Sequence, residues 1–197
     1  MQERSQKTRS LIQKAALKLF AKNGFDATGV AEVCKAAGVS KGSFYHHYGA
    51  KQDVFIDLLE TWVAELEAEL RQTMASSRNV PEAIAAIASK TKKIFKDSDG
   101  TFHIFLEFWS QASHDPVVWK KTVAPYARFL ALFEGVVQRG IDEGSLKPVN
   151  AKFVSRVLIS LALGIIAQGL FMPKGEPWDV LARESIEYFI KGIVKEP

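Results

Sequence analysis

Apolar residues recur at three- and four-residue spacing along almost the whole chain, and nowhere does strict alternation hold long enough to suggest a strand. That pattern restricts the fold to an all-α architecture of about nine helices. The first carries Leu11, Ile12, Ala15, Ala16, Leu19 and Phe20 on one face and ends at Asn23-Gly24. Two short helices are predicted over 29–37 and 41–47, then a long fourth from Gln52 to Ala75 with a stripe that includes Val54, Phe55, Leu59, Trp62, Val63 and Leu70. Pro81 suits the first turn of a fifth helix that stops near 97–100, and a sixth spans Phe102–Ser113. Asp115-Pro116 opens a seventh that runs to Asp142 and is kinked at Pro125. Asn150 can cap an eighth over 151–171, and a ninth covers 178–194.

Charge is unevenly placed along this frame. Residues 1–51 hold nine Lys and Arg against three Asp and Glu, whereas 52–197 hold seventeen against nineteen. A basic segment joined to a near-neutral body suits a polyanion partner, although a solvated basic face gives the same count. Cys34 is the single cysteine, which excludes an internal disulfide and argues for a reducing compartment. The first ten residues are polar and basic, without the apolar run of a signal peptide. The most apolar stretch, Val157–Met172, is short for a bilayer and is expected to be a buried helix, so the expected location is cytoplasmic, without a membrane partner.

The segment Thr28 to Tyr48 carries the most information. Two short helices that cross steeply need small residues at the crossing, supplied by Cys34 and Ala37, and a residue tolerant of positive φ in the turn, supplied by Gly38. Val33, Val39 and Phe44 fill the wedge, and Ser40 is placed to cap the second helix. That helix offers Lys41, Gly42, Ser43, Tyr45 and His46 to the outside: charge, room for close backbone approach, and hydrogen-bond donors for phosphates and base edges. An ordinary helical corner with a polar face would share the glycine turn. The aromatic and basic decoration favours a DNA duplex.

The run Gly38-Val-Ser-Lys-Gly-Ser-Phe-Tyr-His-His-Tyr-Gly-Ala-Lys51, preceded by Leu19-Phe20 and Asn23-Gly24-Phe25, closely resembles the TetR family of regulators. The resemblance implies an N-terminal helix-turn-helix domain over residues 1–51 and a helical effector-binding and dimerisation body over 52–197. It implies a homodimer on a double-stranded DNA operator, with repression relieved by a small effector. Matched position by position, phosphate contacts fall on Tyr45, His47 and Lys51, and base contacts on Lys41, Gly42, Ser43 and His46. Thr28 and Ser40 complete the expected DNA-binding set. Gly29 departs from the hydroxyl residue that many relatives carry there, and Cys34 stands where alanine is commoner.

By the same resemblance the eighth and ninth helices form the dimer interface, the former having Gly164 and Gly169 for close approach; burial of both within one chain is the alternative. Large rings in the middle helices, including Phe95, suggest an apolar cavity for a small hydrophobic effector, with Trp62, Phe102, Phe105, Trp109, Phe129 and Phe133 as lining candidates, although rings at this spacing are more often plain core. His103, Glu107, Gln111 and His114 share a helical face, a polar lip more than a metal set with only two imidazoles and one carboxylate. No cofactor or metal is expected. No nucleophile elbow, phosphate loop or paired-cysteine motif appears, so an enzyme is not expected. A helical protein-interaction module is the remaining alternative, and no residue separates repression from activation.

Overall fold

A computed structural model describes residues 2–89, 101–172 and 177–195, apart from the side chains of Gln2, Thr101, Phe102, His103, Phe105, Leu106, Gln111 and Leu170. The described residues form nine helices: α1 Gln2–Asn23, α2 Val30–Ala37, α3 Lys41–His47, α4 Lys51–Ser76, α5 Val80–Ser89, α6 Thr101–Ala112, α7 Pro116–Asp142, α8 Ala151–Phe171 and α9 Trp178–Ile193. Among them the sole β pairing is an isolated bridge between Leu146 and Val194. The expected all-α architecture is what the chain adopts. The expected end of the fifth helix near 97–100, and Phe95, lie outside the described residues.

Local chemistry explains the helix boundaries. Asn79 Oδ1 accepts the amide of Glu82 at the start of α5, and Asp115 Oδ1 takes the amides of Val117 and Val118 at the start of α7. Asn150 Oδ1 takes that of Phe153 at the start of α8. Each supplies an acceptor for an amide that has no partner inside its own helix. Pro125 lies within α7, as expected.

The chain falls into two compact units, Met1–Ala64 with Asp99–Pro125, and Glu65–Ser98 with Tyr126–Pro197. The first therefore contains α6 and the first part of α7 beside the three N-terminal helices. Its core is built around Ile12, Phe20, Phe25, Phe44, Phe55 and Phe108, none more than 2% exposed. Trp62, expected in the core, is instead 41% exposed. Val63 takes the inward position at 2% exposure, and its neighbour is rotated about 100° around the helix, toward Thr61 and Glu65.

The second unit is organised around Val80, Ile84, Val137, Leu146, Leu158 and Ile190. Its C-terminus is tied back by hydrogen bonds from Lys147 N to Ile193 O and from Lys195 N to Ser145 O. Ala151–Gly169 of α8 is long and apolar enough to cross a membrane by length and composition alone. The expectation of a buried helix is corrected: Phe153, Ser160, Gly164, Gln168 and Phe171 are exposed, leaving one side of α8 uncovered among the described residues. This follows from the buried stripe, Val154, Leu158 and Ile165, which occupies only the opposite side.

Tight packing at the end of α7 gives a test of this unit. A Cβ at Gly140 would lie 2.6 Å from Leu146 Cδ1, 2.8 Å from Leu146 Cγ and 3.1 Å from Val80 Cβ, and Leu146 is 2% exposed and has nowhere to move. Gly140→Ala gains helix propensity but overpacks this point, so urea unfolding should show a net loss of about 1–2 kcal/mol.

Candidate nucleic-acid interface

The corner between α2 and α3 is assembled by backbone chemistry. Gly38 closes α2 in the left-handed conformation at φ +66, its amide bonding to Lys35 O, while Val39 N bonds to Cys34 O. Ser40 follows in extended geometry, and its Oγ accepts the amide of Ser43 at 3.1 Å. Glu32 Oε2 accepts the amide of Gly29 at 2.9 Å and fixes the start of α2. The expected turn glycine and cap residue thus hold the positions assigned to them.

Once Phe44 is driven fully into the core, helical geometry dictates what remains outside. Lys41, Gly42, Tyr45 and His46 are exposed, and Ser43 and His47 are half-buried. Tyr45 is 56% exposed and stands edge-on to Phe44 at 5.4 Å, which steadies a ring directed at solvent. The His46 and His47 rings meet at 5.2 Å. The structure thus brings Lys41, Gly42, Ser43, Tyr45, His46 and His47 together on one short helix, with Ser40 at its head.

Two of the expected DNA-contacting side chains face the protein. Thr28 is fully buried and its hydroxyl donates to Gly24 O at 2.7 Å. Lys51 Nζ donates to the carbonyls of Phe25 at 2.8 Å, Asp26 at 2.9 Å and Thr28 at 3.2 Å, and sits 4.6 Å from the centre of the Phe25 ring. An ammonium has three hydrogens, and all three are committed here.

The C-terminal end of α3 is anchored by a network that the motif alone does not reveal. Asp57, 8% exposed on α4, accepts Nε of Arg9 at 2.7 Å, Nε2 of Gln13 at 2.9 Å and the hydroxyl of Tyr48, and pairs with Arg9 through a second nitrogen. Burial pushes the Asp57 carboxyl up, but the hydrogen bonds from Arg9 and Tyr48, with the guanidinium charge, outweigh it and hold the carboxyl below its ordinary range. Burial, and then the bond to Asp57, push the Tyr48 phenol up. The signal in the sequence was a lone acid inside the apolar run Val54-Phe55-Ile56-Asp57-Leu58-Leu59.

The candidate effector residues divide between the units. Trp109 is half-buried against the first core, which Trp62 leaves for the surface. Phe129 and Phe133 are half-buried in the second unit, edge-on at 4.9 Å. Phe102, Phe105, His103 and Gln111 lie outside the described side chains. Glu107, from the suggested polar lip, accepts the amides of Phe25 and Asp26, both at 2.9 Å. Among the described residues no three His, Cys, Asp or Glu are grouped to hold a metal.

Removing the Asp57 carboxylate should be felt at Tyr48 more than at Arg9, whose side chain is 55% exposed and regains water. Asp57→Ala should cost about 1–3 kcal/mol in urea unfolding, chiefly the buried phenol left without a partner. Because the folded-state carboxyl is held low, its contribution is present above about pH 4, the unfolded value, and is lost as pH falls through the folded value. Asp57→Asn should flatten that acid limb of the stability curve.

Residues 12–58 match the family model described as bacterial regulatory proteins, tetR family. The HTH-type transcriptional regulator UidR of Escherichia coli (strain K12) is 26% identical over 171 residues, 85% of this chain and 84% of that protein. The HTH-type transcriptional repressor KstR2 of Rhodococcus jostii (strain RHA1) is 23% identical over 188 residues, 94% and 90% of the two chains. Among solved structures, FadR from Bacillus subtilis in complex with stearoyl-CoA superposes with a TM-score of 0.80 at 19% identity, covering 93% of this chain and 98% of that one. A TetR-family regulator from Cytophaga hutchinsonii gives 0.77 at 20% identity, covering 98% of each. These structural likenesses carry the fold; residues 12–58 match the helix-turn-helix of the tetR family, and over most of its length the chain is similar to HTH-type transcriptional regulators.

Proposed function

We propose that the chain is a homodimeric repressor whose two copies of α3 enter successive major grooves of a palindromic operator, about 34–36 Å apart. It acts beside the genome in the cytoplasm and catalyses no reaction. The observation that carries this reading is α3 itself: a capped helix whose outward row is Lys41, Gly42, Tyr45 and His46, in the basic N-terminal part of the chain. In this reading Tyr45 and His47 bond phosphates, Lys41, Ser43 and His46 read base edges, and the Ser40 hydroxyl is free to donate after accepting its cap bond. Thr28 and Lys51 contribute by holding the loop before α2. That one relative is a named repressor supports repression as the sense of control.

Gly42 supplies a direct test. A Cβ there would meet only Ser40 Oγ at an ordinary 3.8 Å, so nothing in the fold requires glycine, although glycine weakens a helix. Gly42→Ala should therefore raise stability by about 0.5–1 kcal/mol while weakening binding to DNA fragments selected from the genome. Equal binding by this variant, or no fragment selected by the parent chain in dilute salt, would overturn the reading.

The dimer is proposed through α8 and α9, where Phe153, Phe171, Leu181 and Tyr188 are exposed and a Cβ at Gly164 meets nothing within 4 Å. Gly164→Leu fits the isolated chain and improves helix propensity, yet it fills the space a partner helix needs. Sedimentation equilibrium should show at least about tenfold weaker self-association with the fold intact.

The effector is proposed to be small and apolar, because ligand sites in helical bodies are concave and mostly apolar. A fold neighbour in complex with stearoyl-CoA makes acyl thioesters the first compounds to screen for release of the operator.

A further inference from the structure

The loop that joins α1 to α2 is gripped from two sides by opposite charges. Glu107, in the second turn of α6, accepts Phe25 N on Oε2 and Asp26 N on Oε1, both at 2.9 Å, so each carboxylate oxygen takes one of two successive amides. Lys51 binds the carbonyls of Phe25, Asp26 and Thr28. Gly24 makes the arrangement possible: its φ of +87 turns the chain, and a Cβ there would lie 3.2 Å from Oε2 and 3.3 Å from Oε1 of Glu107. The carboxylate occupies the space that any other residue at position 24 would fill.

We propose that Glu107 is a positioning residue for DNA binding: from α6, its carboxylate sets where α2 begins and hence where α3 is presented, without touching DNA. The proposal rests on the DNA-binding reading above. Helices of eight and seven residues do not hold a conformation alone, so the placement of α3 depends on what fixes the ends of α2 as well as on its own anchor at Tyr48. At the far end that is the Gly38 turn. At the near end it is the loop, whose hydrophobic anchor is the Phe25 ring among Phe20, Phe55 and Phe108. The ring keeps the loop folded, and the carboxylate fixes the direction of its amides.

The sign of the effect separates this role from a bland one. Removing a negative charge from a protein that binds a polyanion ordinarily tightens binding, and a residue that merely stabilises the fold leaves affinity unchanged while the protein stays folded. Loss of positioning weakens binding. The measurement uses the full chain with Glu107→Gln and Glu107→Ala, on a fragment the parent chain selects, well below each variant's melting temperature. Affinity should fall about 3- to 30-fold, more for Ala than for Gln, with the slope of log affinity against log salt unchanged because no phosphate contact is lost. Parental or tighter binding by folded Glu107→Gln would overturn the proposal, as would a changed salt slope. If Glu107→Ala does not fold, Glu107→Gln, which keeps an acceptor of the same shape, decides alone. Failure of the parent chain to select any fragment is a different result and counts against the DNA-binding reading.

Discussion

Phe25 engages its surroundings with all three of its groups, and the first unit depends on that engagement. Its ring is fully buried, 5.0 Å from Phe20, 5.1 Å from Phe108 and 5.7 Å from Phe55, so one side chain joins α1, α4 and α6. Its amide is taken by Glu107 and its carbonyl by Lys51. Buried aromatic contacts of this kind add about 0.5–1.5 kcal/mol per pair beyond area burial, more than an exposed ion pair provides. The two charges therefore contribute direction to a loop whose cohesion comes from the rings.

A second anchor works by the opposite chemistry. At Asp57 a charge is taken out of water, and four hydrogen bonds from Arg9, Gln13 and Tyr48 offset that cost. Residues of α1 and α4 and the C-cap of α3 meet on one carboxylate. Between Ser40 at its head and Tyr48 at its tail, a seven-residue helix has both ends specified, and this permits its outward row to consist of residues that add little to stability.

Local features were legible in the sequence because they depend on neighbours. Gly38, Ser40, Asn150 and Pro116 hold the turn, cap and first-turn positions that their own chemistry prescribes. The helical period placed α4 but not Trp62, since a stripe that includes both 62 and 63 does not say which one faces inward. Spacing also says nothing about partners 48 or 82 positions apart, such as Arg9 with Asp57 or Phe25 with Glu107. Lys51 shows the limit of residue-by-residue matching: a cation at a familiar position was expected to meet phosphate, and three backbone carbonyls claim it first. For α8, composition called for burial, but among the described residues only the side that carries Val154, Leu158 and Ile165 is covered.

Cys34 gives the molecule a built-in reporter. It is the chain's single thiol, 4% exposed on α2 just before the Gly38 turn, and burial pushes its ionisation up against the opposing charge of Lys41. Thiolate is the form that alkylates, so reagent reaches a reactive sulfur only when that corner transiently opens. The rate of covalent tagging at this one atom therefore clocks local opening of the corner that presents α3, and any ligand that prefers the closed corner slows that clock by mass action.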